Sequence, residues 1–283
     1  FGGSGFLGSH VADELTNNNF DVTIFDLKKS KYKNKKQKMI LGDINNFNQV
    51  KKAIKNKNYI FNFGGVADIE EANDYPFKTI HSNIIGLTNI LEAVKYSKKL
   101  KRLVFASSIY ARSSQGGFYS ASKRACESII ENYSDKYNLK YSILRFGALY
   151  GLRSNHFNTI NNFILEAINK KKITRDTLGK EVRNYINAKD ASKIVLKLLK
   201  KKYENNYFNI YGKNKITIKK LIKMIGRLTK VKKLKFSKKT HDKNHYQKNP
   251  YTYKIKKGTT MLPDRKVSLE NDLNEIIKLY KKK

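Results

Sequence analysis

The chain has one cysteine, Cys126, few acidic residues, and no uninterrupted apolar run of about 18 residues. A lone cysteine excludes an internal disulfide and suits a reducing compartment, so a cytoplasmic setting is expected. Three residues after a lysine on a predicted helix, it reads as a packed side chain rather than a nucleophile. Without a long apolar run, no membrane span is expected. No secretory signal pattern is present, and the chain opens on Phe1 rather than methionine, so a segment ahead of Phe1 is expected to be missing. His10, His81, His156, His241 and His245 lack metal-ligand spacing, so no metal is expected. There is no internal repeat and no low-complexity linker. The 283 residues then suggest one large domain or two closely joined ones.

The shortage of acid leaves 59 Lys and Arg against 23 Asp and Glu, a formal charge of +36. A concentrated basic block would point to a polyanion. Lysine and asparagine are instead spread along the whole chain, which reads as compositional drift. Nucleic acid is therefore not the expected partner, although a basic surface would help collect a nucleotide-linked substrate.

Glycine is placed with purpose at the start. Gly2, Gly5 and Gly8 form Gly-x-x-Gly-x-x-Gly ahead of a helix predicted over 9–18. Glycines there allow a tight turn and close backbone approach to a pyrophosphate resting on the helix N-terminus. The turn should follow a strand, which would precede Phe1. Residues 21–25 read as the next strand, ending at Asp26, 18 residues after Gly8. A carboxylate near that spacing binds an adenosine ribose and repels a 2′-phosphate, favouring NAD over NADP. Lys28 and Lys29 pull the other way, and NADP stays open.

Residues 39–44 read as a short strand whose Asp43 either reaches the adenine amine or is an ordinary turn residue. Residues 58–63 form a further strand, followed by Gly64-Gly65. One long helix is predicted over 79–95, carrying Asn83 as either a buried bridging amide or a cofactor contact. Residues 103–108 are a strand ending in Ser107 and Ser108. A helix follows from Tyr119 to about Tyr137, then a strand over 140–146. Tyr119 and Lys123 stand four apart and share one helix face. A free phenol has a pKa of about 10, and a nearby ammonium is expected to lower it, suiting the phenol to proton exchange with a substrate hydroxyl. Strands alternating with helices imply an α/β, Rossmann-type, doubly wound parallel sheet with ligands at the strands' carboxyl ends. After Gly151 the pattern loosens. Helices are predicted over 160–170, 190–201, 218–228 and 267–283, a strand over 207–210, and a small cap over 231–257.

Together these residues resemble the extended short-chain dehydrogenase/reductase family, in its nucleotide-sugar epimerase/dehydratase branch. The resemblance rests on Gly2 to Gly8, Asp26, Gly42-Asp43-Ile44, Phe105 to Ser108, Tyr119 to Lys123, Leu144-Arg145, Leu149-Tyr150-Gly151 and Glu181 to Asp190. It implies a Rossmann domain over 1–150 and a smaller α/β substrate domain over 151–283, with some segments returning to the first. It implies NAD against Gly2, Gly5, Phe6, Leu7, Gly8, Asp26, Asp43, Ile44, Phe63, Gly64, Gly65, Asn83, Ser107, Tyr119, Lys123 and Phe146. A nucleotide-sugar would meet Ser108, Tyr110, Tyr119 and Arg183, with Arg183 on its diphosphate through the fork that arginine offers. Ser108, Tyr119 and Lys123 would be catalytic, acting through a transient 4-keto sugar.

The departures narrow the chemistry. Dehydratases of the family place Asp-Glu directly after the catalytic hydroxyl, where this chain has Ile109-Tyr110. The decarboxylase glutamate and the cysteine of fucose-type epimerase-reductases are also missing. Epimerisation remains, or simple ketone/alcohol redox by a reductase, with a non-catalytic RNA-binding or structural role last. Ser108 and Tyr119 are 11 apart, which implies a shortened substrate loop turning at Gly116-Gly117. Helices beginning near Thr79 and Tyr119 would pair in a homodimer.

Overall fold

The computed structural model describes residues 1–213, 215–237 and 245. Helix α1 (Phe6–Asn17) leads to two parallel strands, β1 (Thr23–Asp26) and β2 (Lys38–Leu41). Helix α2 (Phe47–Ile54) follows, then β3 (Tyr59–Asn62). Three short helical stretches come next: α3 (Ile69–Asp74), α4 (Pro76–Ile80) and α5 (Gly86–Val94). Strand β4 (Arg102–Ser108), helix α6 (Gly117–Tyr137) and strand β5 (Tyr141–Phe146) complete the first half.

Strands β3, β4 and β5 lie side by side and parallel. Every residue of β5 is buried, as expected of a parallel strand covered on both faces. One core lies under α2, α5 and α6, around Leu87, Ile90, Leu91, Ile130 and Ile143. The other lies under α1, around Val11, Leu15, Val104 and Leu144. Apolar side chains on two faces of one sheet give the doubly wound arrangement. Phe1 and Gly2 join β1 to β3. The Phe1 nitrogen donates to Phe61 O at 2.8 Å, Phe63 N to Phe1 O at 3.0 Å, and Gly2 N to Phe25 O at 3.0 Å.

The later elements are β6 (Ala148–Tyr150), α7 (Thr159–Lys170), β7 (Lys172–Arg175), β8 (Val182–Asn187) and α8 (Ala188–Lys197). Then come β9 (Asn206–Ile210), β10 (Lys215–Thr217), α9 (Ile218–Leu228) and β11 (Lys233–Phe236). Strand β9 extends the main sheet beside β5, and α8 packs against α1, so two late segments return to the first half. Strands β10, β8 and β6 form a separate sheet, and β7 pairs with β11. Side chains of Asn158, Asn187 and Thr217 accept first-turn amides of α7, α8 and α9 and so fix where each begins. A third core, around Phe163, Ile173 and Ile222, sits among these elements.

Three expectations change. Helix α1 starts at Phe6 rather than residue 9, because it springs directly from the glycine turn with Gly5 as its N-cap. The single helix expected over 79–95 is interrupted by a π-helical turn at His81–Ile85, which carries Asn83. The helix expected over 190–201 runs Ala188–Lys197 and is followed by a 3-10 turn at Lys201–Tyr203. The helix predicted over 267–283 and most of the cap over 231–257 lie outside the described residues.

Candidate active site

The glycine turn sets the first wall. A helix leaves its first N–H groups without partners inside it, and its N-terminus is its positive end. At α1 these are the amides of Phe6, Leu7 and Gly8, with Ser9 N already bonded to Gly5 O. Gly2 has φ +73°. A Cβ on Gly8 would lie 2.2 Å from Gly2 O, so backbone, not a movable side chain, excludes any larger residue. Asp26 ends β1 beside this turn. Its Oδ2 accepts from Ser4 N at 2.9 Å and its Oδ1 from Lys28 N at 3.1 Å.

Asp43, Ile44, Phe63, Gly64 and Gly65 continue the wall at the ends of β2 and β3. Asp43 also caps a turn, accepting from Asn45 N at 2.8 Å. Asn83 stands behind the wall. Its Oδ1 accepts from Val66 N at 2.7 Å, and its Nδ2 donates to Val66 O at 3.1 Å and Ser122 Oγ at 2.9 Å. Of the two readings open for Asn83, the structure takes the buried bridging amide, because its polar atoms are already spent on the protein.

Ser108 ends β4, and Tyr119 and Lys123 rise together from α6. The Tyr119 hydroxyl hydrogen-bonds Ser108. The Lys123 ammonium lies 5.8 Å from the Tyr119 ring centroid and donates to Ala106 O at 3.0 Å. The expected lowering of the phenol is not found. Burial raises the Tyr119 pKa above its ordinary value, and the Ser108 hydrogen bond offsets only part of that. Lys123 is likewise pushed down by burial, against the pull of Cys126 and Glu127. Each charged form loses its water, and in each case that loss is the largest cause of the shift.

Glu127, Arg145 and Tyr207, which carried no assigned role, support this end. Ser107 Oγ donates to Glu127 Oε1 at 2.5 Å, so the hydroxyl expected on the cofactor is engaged from behind. Arg145 Nε and Nη2 donate to the same carboxylate at 2.8 and 2.6 Å. The Arg145 guanidinium also lies 4.3 Å from the Tyr207 ring centroid. The available signal for Glu127 was its place one turn after Lys123, on the same helix face.

All the residues named above as cofactor or substrate contacts, Asn83 excepted, line one cleft of about 1380 Å³. It extends past Phe146 to Arg183, Tyr185, Glu181 and Arg175. Tyr110 packs edge-on against Tyr119 with centroids 6.3 Å apart, and its hydroxyl is 3.1 Å from His245 Nδ1. Arg153 closes another side, ion-paired to Asp13 at 2.8 Å and 4.7 Å from the Tyr32 centroid. Among the described residues no cluster of His, Cys, Asp and Glu could hold a metal, and no helix is long and apolar enough to cross a membrane.

The pattern of the NAD dependent epimerase/dehydratase family matches residues 1–211. A putative UDP-glucose 4-epimerase of Methanocaldococcus jannaschii is 26% identical over 246 residues, covering 79% of each chain. The UDP-glucose 4-epimerase of Thermotoga maritima, solved with UDP-glucose, superposes with a TM-score of 0.78 at 23% identity, over 86% of each chain. The UDP-glucose 4-epimerase of Thermus thermophilus, solved with NAD, gives 0.75 at 20% identity, over 88% of this chain and 89% of that one. These two likenesses show a shared fold.

Proposed function

The chain belongs to the NAD dependent epimerase/dehydratase family, and from that premise we propose that it is an NAD-dependent epimerase of a nucleotide-diphosphate sugar. The observation that carries the proposal is the convergence of Ser108, Tyr119 and Lys123 with the glycine turn in one cleft. The residues fit a dinucleotide. A Cβ at Gly2 would meet Gly64 N at 2.5 Å, so only glycine lets the turn lie against the end of β3, and turn and strand end line the same cleft. Asp26 is poised for a ribose, and the first-turn amides of α1 suit the phosphates. Bound NAD supplies a hydride acceptor that later becomes the donor.

The protein's own part is proton transfer and orientation. Tyr119 accepts the proton of a sugar hydroxyl as that carbon becomes a ketone, while Ser108 holds the same oxygen. Lys123 would bind the nicotinamide ribose, with its ammonium 5.8 Å from the Tyr119 ring centroid. Tyr119 would return the proton to the ketone oxygen, completing an epimerisation for which bound NAD would supply the hydride. Arg183 binds the diphosphate. In this reading residues 1–150 serve mainly the cofactor and 151–283 mainly the sugar. The chain works as a cytoplasmic homodimer, the pairing supported by exposed Phe77, Ile80, Ile85 and Phe118 along α4 to α6.

The experiment is turnover of a panel of nucleotide-sugars, followed by NMR, with wild type and Tyr119→Phe. A positioned general acid–base contributes about 10²–10⁴-fold, and a loss of that size is expected. Unchanged turnover by the variant would refute the proposal. A second reading, a keto-sugar reductase accepting NADP, is favoured by Lys28, Lys29 and Lys31 beside Asp26 in the cleft wall. Net consumption of reduced cofactor separates it from an epimerase.

A further inference from the structure

We propose that Glu181 reads the nucleoside half of the substrate, by accepting a hydrogen bond through Oε2 from a neutral donor on the ribose or the base. This rests on the nucleotide-sugar reading above. Side chains alternate along a strand, and those of Glu181, Arg183 and Tyr185 share one side of β8 and its lead-in. All three line the cleft, whereas Val182 and Asn184 between them do not.

The direction along this row matters. Tyr185 pairs with Ala148, just past the carboxyl end of β5 where Phe146 meets the catalytic side chains. The ladder holds its register to the far end, where Ile218 N donates to Glu181 O at 2.9 Å. A strand rises about 3.3 Å per residue, so Arg183 stands about 7 Å and Glu181 about 13 Å beyond Tyr185. A nucleotide-sugar presents sugar, diphosphate and nucleoside in that same order. With Arg183 at the diphosphate, Glu181 falls one step outward, at the nucleoside.

The carboxylate is prepared for a donor and lacks one. Glu181 is 3% exposed. Its Oε1 accepts from Arg175 Nη2 at 2.8 Å and Thr177 Oγ1 at 2.6 Å. Its Oε2 is buried with no hydrogen-bond partner. Burial alone would raise its pKa, but Arg175, Thr177 and its own backbone amide outweigh that and hold it at about 2. It is therefore ionised at neutral pH and can only accept. A phosphate there would meet a like charge. A ribose hydroxyl or a base N–H would satisfy an oxygen that is otherwise costly to leave bare.

The test is Glu181→Gln, with nucleotide affinity measured by calorimetry. Arg175 holds the amide oxygen in the place of Oε1, so an NH₂ group replaces Oε2 and faces the ligand's donor. The dissociation constant for UDP is expected to rise about tenfold or more, the size of a hydrogen bond to a charged group, with kcat changed much less than KM. UDP affinity within about twofold of wild type overturns the inference while leaving the nucleotide-sugar reading intact. On the wild type, 2′-deoxy-UDP or 3′-deoxy-UDP binding weakly assigns the donor to the ribose, and N3-methyl-UDP binding weakly assigns it to the base. All three analogues binding like UDP overturns the inference without relying on the variant to fold. Failure of the wild type to bind any of UDP, dTDP and GDP refutes the nucleotide-sugar reading and this inference with it.

Discussion

Tyr119 is buried beside an ammonium that is itself short of water, so the unliganded site favours the neutral phenol. Its pKa lies above the ordinary value because burial outweighs the Ser108 hydrogen bond. Ultraviolet difference titration of unliganded wild type against Tyr119→Phe should show the extra phenol ionising above about pH 10. Ionisation well below that would mean that Lys123 dominates. The neighbouring thiol of Cys126 is pushed up to about 12 by burial and donates to Asn83 O at 3.2 Å. Native protein at pH 8 should therefore resist alkylation at Cys126, while denatured protein reacts; rapid native labelling, read by mass spectrometry, would contradict the packing described. Tyr119 and Lys123 were readable as neighbours on one helix face from their spacing of four, whereas Ser108 entered only through the resemblance of Phe105 to Ser108 to the family's pattern. Glu127 was not legible, since nothing local separates a buried glutamate from a surface one until β5 brings Arg145 against it. The sign of the Tyr119 shift was equally hidden, because it depends on burial.

Among the elements, α1 and its turn tolerate little change. Gly8→Ala forces a Cβ against the backbone oxygen of Gly2, and neither atom can move aside without opening the turn. Loss of NAD binding is expected, read by calorimetry, together with a lower melting temperature; normal affinity would show that the turn is not the cofactor cradle. Between α6 and β5, the Arg145–Glu127 pair is buried at both ends. Removing one partner of such a pair costs about 3–5 kcal/mol, so Glu127→Ala should lower stability by that order in urea unfolding. Ahead of β8, Glu181 has a pKa of about 2, below its usual value of 4.5. Its contribution to stability is then present above pH 4.5 and is lost as pH falls towards 2. Acid unfolding of wild type and Glu181→Gln should converge across that window. The boundaries of β4, β5, α7 and α9 were readable from apolar periodicity and flanking polar residues. The π turn at His81–Ile85 was not, since the Asn83 it carries is held by Val66 and Ser122, which are far away in sequence. The β6–β8–β10 sheet was hidden too, because strands of three to six residues paired across long separations carry no local period.

At the scale of the whole molecule, the parallel sheet gathers its motifs at one edge, and that is why a set of weak signals could be read as one site. The wide spread of lysine gives a charge of +36 without defining a surface. Light scattering should give twice the mass of one chain if α4 to α6 form the proposed homodimer interface. A monomer at micromolar concentration would remove that part of the account. The central claim is that the hydride leaves and returns to the same sugar carbon inside one cleft. It is tested most directly with a nucleotide-sugar carrying deuterium at C4, with product and cofactor followed by NMR and mass spectrometry. The account predicts an inverted product that keeps its deuterium at C4, with no reduced cofactor accumulating. Loss of the label to solvent, or one reduced cofactor formed for each sugar converted, would contradict it.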